Sequence, residues 1–278
     1  MRLLVINADD LGFAPGVNRG IVEAHEAGTL SSASMMVTTP AFGEAVELVH
    51  ARVPRLGVGL HLNLVSGRPL STAPTLTDPR TGAFHSLEQL GRRALAGRVD
   101  AADVRRECDA QLEALLAARV TPTHLDSHRH SHALPGVLPA VLASAIAHGV
   151  PIVRRPLDAP RLGDPVSGAK MLVLHAAWRA ALRGVDAAGR ALLARSPRFR
   201  GIALQGASDV GRRLLALLDR LPPGATELMM HPGHDDAVLA AQDPYRAERE
   251  REVAVLCSSI VRGRLDRGDI SLVTFREL

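Results

Sequence analysis

Two cysteines, one tryptophan, one tyrosine and a single lysine, Lys170, are all that 278 residues hold of those four types. Cys108 and Cys257 form no CxxC pattern and no disulfide framework, so a reducing compartment is expected and both read as buried fillers. Aromatics at 3% exclude the stacking platforms that hold single-stranded nucleic acid. The chain carries 33 basic against 29 acidic residues, for a formal charge of +4, and nearly all the positive charge is arginine. Those arginines are scattered, which outlines no nucleic-acid patch. No apolar run approaches the roughly 18 residues of a membrane span. Arg2 to Asn7 runs straight into Asp9 and Asp10, so no secretory signal is expected and the expected location is the cytoplasm. The first apolar strand is followed by no GxGxxG, which argues against an open dinucleotide-binding sheet.

Hydrophobic residues make up 46%, ample for a buried core. Short apolar runs alternate with longer helical patterns. Strands are expected at Leu3–Ile6, Ser34–Val37, Leu56–Leu62, Thr123–Asp126, Ile202–Leu204, Glu227–Met230 and Ile270–Phe275, with a strand-like pair at Ile152 and Val153. Helices are expected over about 16–27, 42–51, 101–118, 135–148, 209–221 and 246–264, with a further helical stretch running to Ala194 and a loop at Pro156–Gly168. Residues 63–100 carry Gly67, Pro69, Pro74, Pro79 and Gly82 and read as a lid-like excursion. No linker or repeat divides the chain. The expected architecture is one α/β catalytic domain over residues 1–278, a (β/α) barrel with parallel strands.

Polar residues fall where these strands end. Asp9 and Asp10 follow the first, His61 ends the third, Asp126 and His128 end the fourth, and His231 ends a late one. In a parallel barrel all strand C-termini open on one face, so distant residues can share a site there. Of two adjacent carboxylates, one can bind a cation while the other stays a base, although an aspartate pair also suits a plain solvated turn. Residues 121–132 read Thr-Pro-Thr-His-Leu-Asp-Ser-His-Arg-His-Ser-His, with histidines at 124, 128, 130 and 132. Imidazoles at strand ends favour a transition-type dication over Ca²⁺. Four cannot all bind one ion and leave room for water, so the rest would orient ligands, meet substrate or cap the next helix.

The segments Asn7-Ala-Asp-Asp-Leu-Gly, Gly59-Leu-His-Leu, Thr123-His-Leu-Asp-Ser-His-Arg-His-Ser-His and His231-Pro-Gly resemble the YdjC-like carbohydrate deacetylases, a family that includes chitooligosaccharide deacetylases and deacetylases of hopanoid glycolipid synthesis. The motifs follow the family's order from residue 5 to about 234. The resemblance implies a distorted (β/α) barrel related to the polysaccharide-deacetylase fold, and one divalent metal ion. It places the metal ligands at Asp10, His61 and His128, the general base at Asp9, and an acid or oxyanion stabiliser at His231. Asn63, Asp126, His130 and His132 are expected to face the substrate. Leu11 stands where the family often has phenylalanine, and Arg129 where it often has histidine or lysine; neither is an inferred ligand.

The implied reaction is hydrolysis of an N-acetyl group on an amino sugar, whether oligosaccharide or glycolipid. The family is usually described with Mg²⁺, whereas two histidines and one aspartate suit Zn²⁺ better. The resemblance also points to a homodimer. Two other classes stay open on the residues alone: an amidohydrolase or phosphoesterase acting on a non-sugar substrate, and a non-catalytic sugar-binding barrel. No glycine-rich phosphate loop or lysine clamp supports a phosphoesterase, and Asp9, a spare carboxylate beside Asp10, argues against a purely binding role.

Overall fold

The computed structural model of the protein describes residues 1–158 and 165–278. Its strands are β1 (Arg2–Leu11), β2 (Ser32–Met35), β3 (Gly57–Leu62), β4 (Leu125–Ser127), β5 (Arg198–Arg200), β6 (Gly224–Met230) and β7 (Ser271–Leu272). Its helices are α1 (Pro15–Glu26), α2 (Phe42–Ala51), α3 (Leu87–Leu95), α4 (Ala101–Ala117), α5 (Leu138–Ala147), α6 (Pro165–Ala181), α7 (Ala187–Ala194), α8 (Val210–Asp219), α9 (Ala237–Ala240), α10 (Ala247–Leu256) and α11 (Ser259–Leu265). The chain forms two compact units, one of residues 1–35, 39–58 and 197–278, the other of residues 36–38 and 59–196.

In the first unit β1 pairs in parallel with β6 along its length, with β7 beside its start and with β2 beside its end, while β5 lies on the far side of β6. Val5, Ile6, Ala8 and Leu11 of β1 are buried, because a strand between two neighbours and under helices has no wet face. That is why β1 reads as a continuous apolar run rather than an alternation. Gly57 opens β3 within this unit, its N–H donating to Ser31 O at 3.1 Å.

The second unit takes up β3 at Gly59. Leu60, His61 and Leu62 stand opposite Leu125, Asp126 and Ser127 of parallel β4. Gly59 is required by close approach: a Cβ there would lie 2.4 Å from the His124 ring and 2.5 Å from its carbonyl oxygen. Beyond β3 the excursion is fastened to one face of α4. Gln111 clasps the backbone of Asn63, accepting its N–H at 3.0 Å and donating to its carbonyl at 2.7 Å. Glu107 accepts from the Leu70 and Ser71 amides and the Ser71 hydroxyl, and Asp103 from the amide and hydroxyl of Thr75. The spacing 103, 107, 111 puts all three side chains on one helical row. Residues 63–75 thus gain bonding partners for their backbone without joining a sheet.

Several expected elements shift. The strand expected at Ile202–Leu204 forms instead at Arg198–Arg200, where Phe199 alone is buried; Ile202 and Leu204 still enter the core, but from a turn after Gly201, whose φ is +135°. The helix expected over 246–264 breaks in two at Ser258, whose hydroxyl caps α11 through Val261 N. Val153 makes a single parallel bridge to Leu125 rather than a strand. The excursion holds α3, started by a capping box of Ser86 and Gln89. Of the loop expected at 156–168, residues 159–164 lie outside the described residues, and α6 begins at Pro165. No helix among the described residues is long and apolar enough to cross a membrane.

Candidate active site

In the first unit the chemistry gathers at the end of β1. Successive strand residues face opposite ways, so regular pleating would separate Asp9 from Asp10. A bulge intervenes: Ala8 pairs with Ala33 but Leu11 with Met35, leaving one extra residue on β1. Asp10 takes the left-handed conformation that absorbs it, with φ +72°, which aspartate tolerates better than most non-glycine residues. The bulge therefore re-aims the Asp10 carboxylate.

Each aspartate has its own holder. Asn7, two residues before Asp9 and so on the same strand face, donates Nδ2–H to Asp9 Oδ1 at 2.9 Å; the Ser34 hydroxyl reaches the same oxygen at 3.4 Å. Asp9 Oδ2 lies 4.0 Å from His231 Nε2. The β1–β6 register, with Ala8 opposite Met230, brings these two strand ends together. Asp10 Oδ2 accepts from Arg249 Nη2 at 2.6 Å, and both residues are buried. His231 is held by its backbone, which donates to Glu252 Oε2 at 2.5 Å, while Glu252 Oε1 accepts from the Tyr245 hydroxyl at 2.6 Å. Burial and the neighbouring Glu252 push the Tyr245 phenol well above its ordinary pKa, so it stays a donor. Tyr245, Arg249 and Glu252 thus present one face that braces both Asp10 and His231.

In the second unit His61 and Asp126 are register partners, and His61 Nδ1 donates to Asp126 Oδ1 at 2.7 Å. That bond fixes the tautomer with the lone pair on Nε2, the atom a metal takes. The other Asp126 oxygen meets Arg154 Nη2 at 2.6 Å, with both side chains wholly buried. Burial alone would raise the Asp126 pKa; Arg154 and then His61 overcome it and hold the carboxyl well below the usual range. His128 opens the short 3-10 segment His128–Ala133, and its ring stands edge-on to His61 with centroids 5.7 Å apart. Arg129 and His130 both sit at positive φ, 55° and 54°, so the block turns sharply after His128.

The residues expected to meet substrate divide. His130 is half-buried at this turn. Asn63 is turned inward: Nδ2 donates to Thr38 Oγ1 and Ser66 O, and Oδ1 accepts from the amides of Val65 and Ser66. Its polar atoms shape the turn after β3. His132 is also committed to the interior. Nε2 donates to the Arg154 carbonyl at 3.0 Å, and Nδ1 accepts from the Ser127 hydroxyl at 2.5 Å. Burial lowers its pKa to about 4, so it is neutral near pH 7. Asp126 divides its two carboxylate oxygens between His61 Nδ1 and Arg154 Nη2. Arg154, Arg249, Tyr245 and Glu252 were not singled out in the sequence. Arginine is too frequent here to signal a site, and only the spacing 245, 249, 252 hinted at a common face.

Aspartate and histidine side chains suited to hold a metal ion are thus present and buried in both units. The YdjC-like protein family profile matches residues 3–267. A carbohydrate deacetylase of Geobacillus stearothermophilus is 34% identical over 277 residues, covering 99% of this chain and 98% of its own. One from Brevibacillus brevis is 35% identical over 276 residues, covering 99% of each chain. Among solved structures, an Enterococcus faecalis V583 protein named for cellobiose-phosphate cleavage matches with a TM-score of 0.77 and 26% identity, covering 99% of this chain and 98% of that one. The α/β class expected from the sequence, a distorted (β/α) barrel, is borne out by that match and by the parallel strand pairings. A profile match over nearly the whole length, with relatives above 30% identity at full coverage, places this chain in the YdjC-like protein family.

Proposed function

We propose that this protein is a metal-dependent hydrolase that removes N-acetyl groups from an acetylated amino sugar. The observation that carries the reading is the buried pair of imidazoles, His61 and His128, with His61 Nδ1 committed to Asp126. A histidine backed by a carboxylate is the arrangement of a metal ligand whose other nitrogen faces an ion. Asp10 completes a set of two nitrogens and one oxygen, and we assign Asp10, His61 and His128 as the ligands. That donor set fits Zn²⁺ and accommodates Mg²⁺ less well, since Mg²⁺ prefers oxygen. The names of the relatives support a sugar amide as substrate.

A dication held there would polarise the acetamide carbonyl and make water acidic enough to attack at neutral pH. Asp9 is the proton acceptor. Asn7 and Ser34 hold it through Oδ1, with Oδ2 4.0 Å from His231 Nε2. His231 steadies the developing oxyanion or protonates the departing amine, with Glu252 fixing the backbone from which it projects. His130 is the member of the histidine block that we assign to substrate. Asn63, Asp126 and His132 support the site from behind.

The test is acetate release from N-acetylglucosamine oligomers by protein stripped with a chelator and resupplied with Zn²⁺, Mg²⁺ or Mn²⁺. Activity that returns with a divalent ion and disappears in His61→Ala and His128→Ala supports the reading. Full activity in the stripped protein sinks it.

A further inference from the structure

Arg249 has no part in the chemistry above, yet it is one of the largest wholly buried side chains in the protein. Its guanidinium is fixed on several sides. Nη2 donates to Asp10 Oδ2 at 2.6 Å and to Asp243 Oδ2 at 2.8 Å, and Nε donates to the Tyr245 carbonyl at 3.0 Å. The ring of Phe13 lies 6.0 Å away and that of Tyr245 5.7 Å away. Nη1 is buried and has no hydrogen-bond partner among the described residues. The arrangement is a charge relay of fixed geometry, Asp243⁻, Arg249⁺, Asp10⁻, that ends on an assigned metal ligand.

We propose that Arg249 is a positioning residue that shares the Asp10 carboxylate with the metal, keeping Oδ2 for itself so that Asp10 offers the ion one oxygen, and thereby holds the metal weakly enough to exchange. This rests on the metal reading above. Two consequences follow from the charges. The guanidinium is a like charge close to the dication, and it draws electron density from the ligand, so it lowers affinity. Asp243 partly neutralises Arg249 and so raises affinity, although it is not assigned to touch the ion. Arg249 and Asp243 therefore act in opposite directions through one chain of contacts, which a purely structural brace would not do.

The experiment is calorimetric titration of chelator-stripped full-length protein with Zn²⁺ and with Mn²⁺, alongside unfolding in urea without metal. Arg249→Met should bind metal on the order of 10-fold more tightly than wild type despite a less stable fold, because a fixed positive charge is gone. Arg249→Lys keeps the charge and should stay near the wild-type affinity. Asp243→Asn should bind on the order of 10-fold more weakly, and it decides the matter if Arg249→Met does not fold. Equal or weaker binding by Arg249→Met, a lysine variant that behaves like the methionine one, or an unchanged Asp243→Asn overturns the inference. Wild-type protein that takes up neither ion overturns the metal reading itself, and this inference with it.

Discussion

Replacing Asp126 by asparagine separates two tasks that one carboxylate performs. Toward Arg154 it is half of an ion pair at 2.6 Å with both side chains at 0% exposure. Toward His61 it is the acceptor that fixes the tautomer, at 2.7 Å. Removing the negative charge while the guanidinium stays buried costs about 3–5 kcal/mol, the usual penalty for breaking such a pair from one side. For a chain of this size that corresponds to a melting temperature lower by on the order of 10 °C. The amide oxygen of asparagine can still accept from His61, but as a neutral group it makes the imidazole a poorer donor to a metal, and affinity should fall by roughly 10- to 100-fold. The double variant Asp126→Asn/Arg154→Met removes the stranded charge and should recover most of the stability while leaving the metal affinity low. Urea unfolding and metal titration on the three proteins read the two effects separately. If stability and metal affinity recover together in the double variant, Asp126 acts on the metal only through the fold, and its role as the orienter of His61 is refuted.

Three further outcomes are expected. Asp10→Asn should lose metal affinity, whereas Asp9→Asn should keep the metal and lose turnover by roughly 10²- to 10⁴-fold, the usual scale of general-base catalysis; bound metal and acetate release measured on each variant check this, and the reverse pattern would exchange the two roles. His132 is held neutral by burial, with its pKa lowered from 6.5 to about 4. The unfolded chain takes up that proton below pH 6.5 and the folded chain does not until about 4, so stability is full above 6.5 and falls as the pH drops toward 4. The loss is about 3 kcal/mol, and urea unfolding at several pH values should show it shrink in His132→Asn. Gly59→Ala should destabilise by about 1–3 kcal/mol, since the added methyl meets the His124 ring and backbone at under 3 Å; an alanine variant as stable as wild type would mean that β3 and β4 can part there without cost.

The alternation of parallel strands and helices was readable from the sequence because buried parallel strands must be short apolar runs and helices must carry an amphipathic period. β3 and α2 appear within a residue of where that pattern puts them. Asp9, Asp10, His61, His128 and His231 were readable as candidates because parallel strands open their C-termini on one face, and these residues do stand at the ends of β1, β3, β4 and β6. Which way each side chain turns was not readable. Asn63, His128, His130 and His132 look alike as polar residues after a strand, yet Asn63 and His132 spend their hydrogen bonds inside the fold. The bulge that re-aims Asp10 leaves no mark in Asn7-Ala-Asp-Asp-Leu-Gly, because it arises from the pairing of β1 with β2, not from the segment's own preferences. Arg154 and Arg249 were invisible for a related reason. An arginine is ordinarily a surface residue, and only tertiary packing decides which two of so many are taken out of water and set against Asp126 and Asp10.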